Sequence, residues 1–271
     1  MSDTPIIGAQ LTVLDLPKHR DWLIQKNRDL ELPEFCMADI LAGPDPFIDM
    51  AQKALDGWAG RLAIHGPFAG FELDVKDKEI RAVVQKRIGQ ALDVCEKLGA
   101  TQMVLHSPFD GWDRNNLDNR PTDRANRIAA ILDTLAPAIR AAEALGVEMV
   151  LENIKDTDPG HRAAVVEAAD SSALKLSVDT GHAYWAHVTC GAPPVDRFIS
   201  AAGDLLTHVH LQDADGYADR HWVLGEGTIP FAPIFAALGQ LTSNPRLIVE
   251  INDFSRVRDA VAHLEKLGLA E

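Results

Sequence analysis

A single (β/α)8 barrel is the fold this sequence predicts, with residues 1–271 as one domain. Three observations predict it. Strand-like and helix-like segments alternate eight times along the chain. The length of 271 residues suits one barrel of roughly 250 residues. The polar residues gather where strands end, which is the face on which such barrels carry their active sites.

The strands come first. Short apolar runs rich in β-branched residues occur at Ile6–Val13, Leu30–Cys36, Arg61–His65, Thr101–His106, Val147–Asn153, Leu174–Asp179, Leu206–Leu211 and Leu247–Ile251. They are nearly continuous rather than alternating, as expected of parallel strands covered by helices on the outside. Between them, Asp77–Leu98 places Ile80, Val84, Ile88, Ala91, Leu92 and Cys95 at three- and four-residue intervals, the period of one helix face, and Gly99 suits the C-cap. A second long helix runs from about Thr122 to Leu145 and stops at Gly146, with Pro137 expected to kink it. Shorter helices fit Lys18–Arg28, Pro46–Ala59, Arg162–Ala169, Val195–Ala202, Phe231–Leu238 and Ser255–Lys266. Eight strands with eight helices indicate a closed parallel barrel, and a doubly wound open sheet is the alternative.

Composition narrows the function. The hydrophobic fraction of 46% supports a sizeable core, and no apolar run approaches the length of a membrane span. The N-terminal stretch from Met1 lacks the basic and apolar regions of a secretory signal, so a cytoplasmic protein is expected. Cys36, Cys95 and Cys190 are few and scattered, which argues against a disulfide framework and against thiolate metal ligation. A net charge of −14 disfavours nucleic-acid partners and favours a small-molecule substrate.

The candidate site follows from position. The predicted strands end at His65, His106, Glu152, Asp179 (with His182 just beyond), His208/His210 and Glu250. The loop after the seventh strand adds Asp213, Asp219 and His221. Clustered buried carboxylates are costly unless a cation neutralises them, and imidazole with carboxylate is a ligand mixture that zinc or manganese selects. A divalent-metal site is therefore expected. His208 and His210 point to the same barrel face, and His210 is the better ligand because it lies nearer the strand end. His19, His161, His187 and His263 read as surface residues. Phe68, Trp112 and Trp185 follow rim-side loops as candidate pocket walls, and Gly225 and Gly227 read as a tight turn.

The segments IHGPF (Ile64–Phe68), VLHSP (Val104–Pro108), LEN (Leu151–Asn153), SVDTGHA (Ser177–Ala183), HVHLQDADG (His208–Gly216), DRHWVLGEGTI (Asp219–Ile229) and IVEIN (Ile248–Asn252) resemble the xylose-isomerase-like TIM-barrel superfamily. That group holds sugar and sugar-phosphate isomerases and epimerases and the endonuclease IV type of apurinic endonuclease. Its epimerases imply one metal on Glu152, Asp179, His210 and Glu250, with Glu152 and Glu250 as the catalytic pair. Its endonuclease branch implies up to three zinc ions on His65, His106, Glu152, Asp179, His182, His210, Asp219, His221 and Glu250. The resemblance further implies a sugar or sugar phosphate bound by His182, Arg220 and Trp112, and a homodimer as the assembly to look for. A metal-ligand histidine at 221, where such epimerases more often carry arginine, departs from the one-metal pattern. The isomerase/epimerase reading is preferred because the acidic charge opposes a DNA substrate.

Overall fold

The computed structural model describes residues 4–271, and Met1–Asp3 of the stretch read for a leader lie outside it. Eight parallel strands close into a barrel in sequence order: β1 (Gly8–Gln10), β2 (Leu30–Leu32), β3 (Leu62–His65), β4 (Gln102–His106), β5 (Glu148–Glu152), β6 (Leu174–Asp179), β7 (Leu206–Leu211) and β8 (Arg246–Val249). The alternative of an open sheet is excluded, because β1 pairs with β8 through Gly8 opposite Ile248 and Ala9 opposite Val249.

Every expected strand is present; two match their expected bounds, three are trimmed by a residue at one or both ends, and three differ more. The first covers only Gly8–Gln10 of the expected Ile6–Val13. The second stops at Leu32, because Pro33 has no N–H for the ladder, and Glu34–Cys36 turns as a 3-10 helix instead. The eighth runs from Arg246 to Val249, which puts Glu250 just past the strand, where its N–H still donates to Leu211 O at 3.0 Å.

The helices form where side-chain period and caps agree. In Lys78–Leu98 the Asp77 carboxylate accepts from the N–H groups of Glu79 and Ile80 at 2.8 and 3.2 Å, and Gly99 closes the helix at φ +69°. Helix Asp123–Leu145 runs unbroken through Pro137. The proline removes the donor that Asp133 O would normally receive, and Gln85 Nε2 of the neighbouring long helix supplies one at 3.1 Å. Helix Thr180–Cys190 lies outside the helices that the sequence predicts. Its sequence, TGHAYWAHVTC, lacks a separate polar face, so periodicity gave no signal.

Helix packing also corrects two surface assignments. His19 and His161 are buried; His161 packs against the Phe109 ring at 5.2 Å, and His19 meets Trp22 edge-on at 6.3 Å. Among the described residues, no helix is long and apolar enough to cross a membrane.

Candidate metal centre

Strand register sets the height of each polar side chain. Glu152 lies opposite His106 on β4 and Ser177 on β6, and Asp179 lies opposite His210 on β7. Asp179 and His210 thus stand one step beyond the Glu152 row, and the side chains converge from neighbouring strand ends. Glu152, Asp179, His210 and Glu250 bring one donor atom each to within 4.8 Å of one another. His210 Nδ1 is 2.9 Å from Glu152 Oε1 and 3.1 Å from Glu250 Oε2.

Two further groups flank this quartet. On one side His106 Nε2 stands 3.3 Å from His65 Nε2 and 3.6 Å from Glu152 Oε2. On the other, Asp219 lies 3.3 Å from His182 Nε2 and 3.0 Å from His221 Nε2. All nine expected positions thus fall into three adjoining groups: Glu152 is shared by two of them, and His182 Nδ1, 3.7 Å from Glu152 Oε1, abuts the third. A cavity of about 580 Å³ opens above them, lined by His65, His106, Glu152, His182, Asp219, His221 and Glu250, with Asp179 and His210 buried beneath.

Local structure holds these groups still. Asn153 ties two strand ends together: its Nδ2 donates to Asp179 O at 3.1 Å, and its Oδ1 accepts from Asp179 N at 2.9 Å. Asp179 caps helix Thr180–Cys190 through His182 N at 2.6 Å, which is why His182 turns back toward the rim. His221 sits in the left-handed region at φ +47°, uncommon for a non-glycine residue. Its N–H donates to Gln212 Oε1 at 2.8 Å, and its carbonyl accepts from Asn252 N at 3.0 Å. Asp213 accepts from Ala214, Gly225 and Ile229 N–H groups and so folds the loop that carries Asp219 and His221.

The electrostatics show a site short of positive charge. Burial pushes the Glu152 carboxyl up, but His210, His106 and His182 outweigh it and hold the group below the usual carboxylate range. Burial raises Asp179 to about 6 against the pull of His182, with Glu152 and Glu250 adding to the rise. Burial disfavours charge on His182 and His221 as well, yet Asp179 and Asp219 carry them up to about 10 and about 9. His106, with fewer acidic neighbours, is pushed down to about 3 by burial. Protons on three histidines therefore offset the carboxylates, at lone pairs that a divalent cation would otherwise take. Glu152 Oε2 is buried and has no hydrogen-bond partner, so a carboxylate oxygen is left free inside the donor set. The residues fit a divalent metal.

The model of the xylose isomerase-like TIM barrel family matches residues 44–267. The chain belongs to that family. Among its relatives is MJ1311 of Methanocaldococcus jannaschii, 25% identical over 225 residues, covering 78% of this chain and 70% of that one. Fructoselysine 3-epimerase of Escherichia coli O157:H7 is 24% identical over 165 residues, covering 59% of this chain and 56% of that enzyme. Two solved structures share the fold at a TM-score of 0.72. The TTHB071 protein of Thermus thermophilus, soaked with ZnCl2, is 24% identical, with 96% of this chain and 97% of that one covered. A D-tagatose 3-epimerase-like protein is 22% identical, with 97% and 96% covered.

Within this family barrel, some expected contributors stand apart from the cavity. Trp112 is 73% exposed on helix Gly111–Asn116 and does not line it. Trp185 does not line it either. The Arg220 guanidinium is turned away and paired with Asp215 at 2.8 Å. Phe68 does form a wall, stacked on the His106 ring at 3.9 Å.

Three participants were missed. Gln212 Nε2 reaches Asp179 Oδ1 at 3.1 Å and Asp219 Oδ1 at 3.0 Å, so it bridges two of the groups. Gln10 lines the cavity and donates to Glu250 Oε1 at 2.7 Å. Glu31 lies fully buried inside the barrel beneath His210. The available signal was a lone acid or amide within an apolar strand, Leu-Glu-Leu in β2 and Gly-Ala-Gln in β1, positions that normally hold branched apolar residues.

Proposed function

We propose that this protein is a divalent-metal-dependent isomerase or epimerase acting on a sugar or sugar phosphate, moving a proton on the carbon beside a carbonyl. The observation that carries the reading is the convergence of Glu152, Asp179, His210 and Glu250 at the barrel mouth, one donor atom from each within 4.8 Å of the others. These four would hold one ion, zinc or manganese by the chemistry of the donor set. Such an ion supplies Lewis-acid polarisation of a carbonyl oxygen.

The chain's own residues supply the acid–base steps. Glu152 ends β5, and Glu250 follows β8 on the far side of the ring, so the two carboxylates address one carbon from different directions. One takes the proton and the other returns it to the opposite face. The Glu152 side chain is almost wholly buried and the Glu250 side chain is 13% exposed, so Glu250 is the one that exchanges protons with solvent. His182, at the cavity wall, is placed for a substrate hydroxyl or a further ion. The cavity volume lies within the range of small-molecule sites, about 300–1,000 Å³. Relatives named as epimerases support this reading.

The test is solvent-deuterium incorporation across a panel of ketoses, aldoses and their phosphates with manganese or zinc present. Glu152→Gln and Glu250→Gln are expected to lower exchange by about 10²- to 10⁴-fold with the fold intact. Unchanged exchange in either variant sinks the two-glutamate mechanism.

A second reading draws on the flanking groups His65/His106/Glu152 and His182/Asp219/His221. Three ions on the nine residues would suit hydrolysis of a phosphoester, abasic DNA included. The net charge of −14 opposes a polyanionic substrate. Elemental analysis separates the two, since two or three zinc ions per chain favour hydrolysis and a single ion favours the epimerase.

A further inference from the structure

A carboxylate and two imidazoles occupy a layer of the barrel interior where apolar packing is the rule. Glu31 sits on β2, and His208 and His210 on β7; all three are fully buried. Glu31 Oε1 is 3.0 Å from His210 Nε2 and 2.9 Å from Gln10 Nε2, and Oε2 is 3.1 Å from His208 Nε2. No lysine or arginine pairs with Glu31 among the described residues. A buried carboxylate costs stability unless its donors are well placed.

We propose that Glu31 is the positioning residue of this centre. It acts through two neighbours and does not line the cavity. The inference rests on the metal reading above.

The argument is one of donors and acceptors. An ionised carboxylate only accepts hydrogen bonds. His210 must therefore present N–H from Nε2 to Glu31. Its Nδ1 faces Glu152 Oε1 at 2.9 Å and Glu250 Oε2 at 3.1 Å, and by the same rule donates there until an ion between those carboxylates would take the place of that hydrogen. A carboxylate behind a metal-binding imidazole sets both its tautomer and its orientation. His208 repeats the pattern: its Nε2 faces Glu31, and its Nδ1 meets the Ser177 hydroxyl at 2.8 Å. The His208 approach is off the line of a full hydrogen bond, so His210 and Gln10 are the principal donors. Gln10 carries the effect to the opposite wall. One hydrogen of its Nε2 goes to Glu31 and the other to Glu250 Oε1 at 2.7 Å. A single buried carboxylate thus holds both the ring of His210 and the plane of Glu250.

The test uses the full chain labelled with ¹⁵N-histidine, studied zinc-free and zinc-loaded, with Glu31→Gln alongside. In the wild type, His210 Nε2 is expected to carry a proton in both states, with Nδ1 as the nitrogen whose resonance moves when zinc is added. In Glu31→Gln, zinc affinity is expected to fall about 10- to 100-fold, and the protected Nε2 proton to be lost, with an unchanged circular-dichroism spectrum. A bare His210 Nε2 in the wild type overturns the proposal, and that measurement stands even if the variant does not fold. A variant that binds zinc as tightly as the wild type also overturns it. Failure of the wild type to bind zinc, with the Nε2 proton in place, refutes instead the metal reading on which the proposal rests.

Discussion

Among the described residues Arg162 is the largest fully buried side chain, and its replacement by methionine gives a sharp test of how the centre is supported. Its Nη1 donates to Leu151 O at 2.6 Å and Ser177 O at 2.5 Å, carbonyls just ahead of Glu152 and Asp179. Its Nε lies 3.0 Å from Asp156 Oδ1, and Asp156 is equally buried. Arg162→Met removes the cation while Asp156 keeps the Ser107 hydroxyl and Ile154 N–H as donors. Breaking a buried pair from one side costs about 3–5 kcal/mol. At about 2 °C per kcal/mol for a chain of this size, the melting temperature should fall by about 6–10 °C. Thermal and urea unfolding of Arg162→Met, Asp156→Asn and the double variant would close a thermodynamic cycle. The double variant is expected to lose less than the sum, with a coupling of about 0.5–3 kcal/mol. Metal affinity should weaken too, because the β5 and β6 ends lose a common tether. A loss below about 1 kcal/mol in Arg162→Met, or strict additivity, would refute the reasoning.

Other outcomes follow from the charge inventory and the packing. Zinc or manganese at 100 times its dissociation constant should stabilise the fold by about 2.7 kcal/mol, seen as a rise in melting temperature that EDTA reverses; no shift with either ion argues against a metal centre. Because His182 and His221 are raised to about 10 and about 9, an ion bound by His182, Asp219 and His221 must displace their protons, so zinc affinity at that group should climb with pH toward 9 and calorimetry in buffers of different ionisation enthalpy should register proton release. The same shifts set the sign for the metal-free protein: the stabilisation from these protonated rings is complete below about 6.5 and is lost as pH rises through 9–10, measurable by denaturant titration. Gly181→Ala would drive a Cβ into the Gln212 carboxamide, so it should dislodge the bridge between Asp179 and Asp219 and weaken ion binding on the Asp219 side, readable by calorimetric titration.

The barrel, the order of its eight strands and the nine residues on its rim were legible because each depends on a local signal. Apolar runs, helical periods and caps are written within about 20 residues, and barrel topology carries every strand's C-terminal end to one face. The support beneath the rim has no local signal. Glu31 meets His210 across 179 residues, and Gln10 meets Glu250 across 240, and only closure of β1 on β8 makes those contacts. The expected roles of Trp112 and Arg220 failed for a different reason: helix Gly111–Asn116 leaves Trp112 exposed, and the ion pair with nearby Asp215 turns Arg220 from the cavity. The sequence by itself determined the fold and the ring of candidate ligands, because strand periodicity fixes which face and which end a residue occupies. Only the tertiary structure decided how those ligands divide into three groups and which buried carboxylate orients them, because burial and hydrogen-bond direction are set by neighbours distant in the chain.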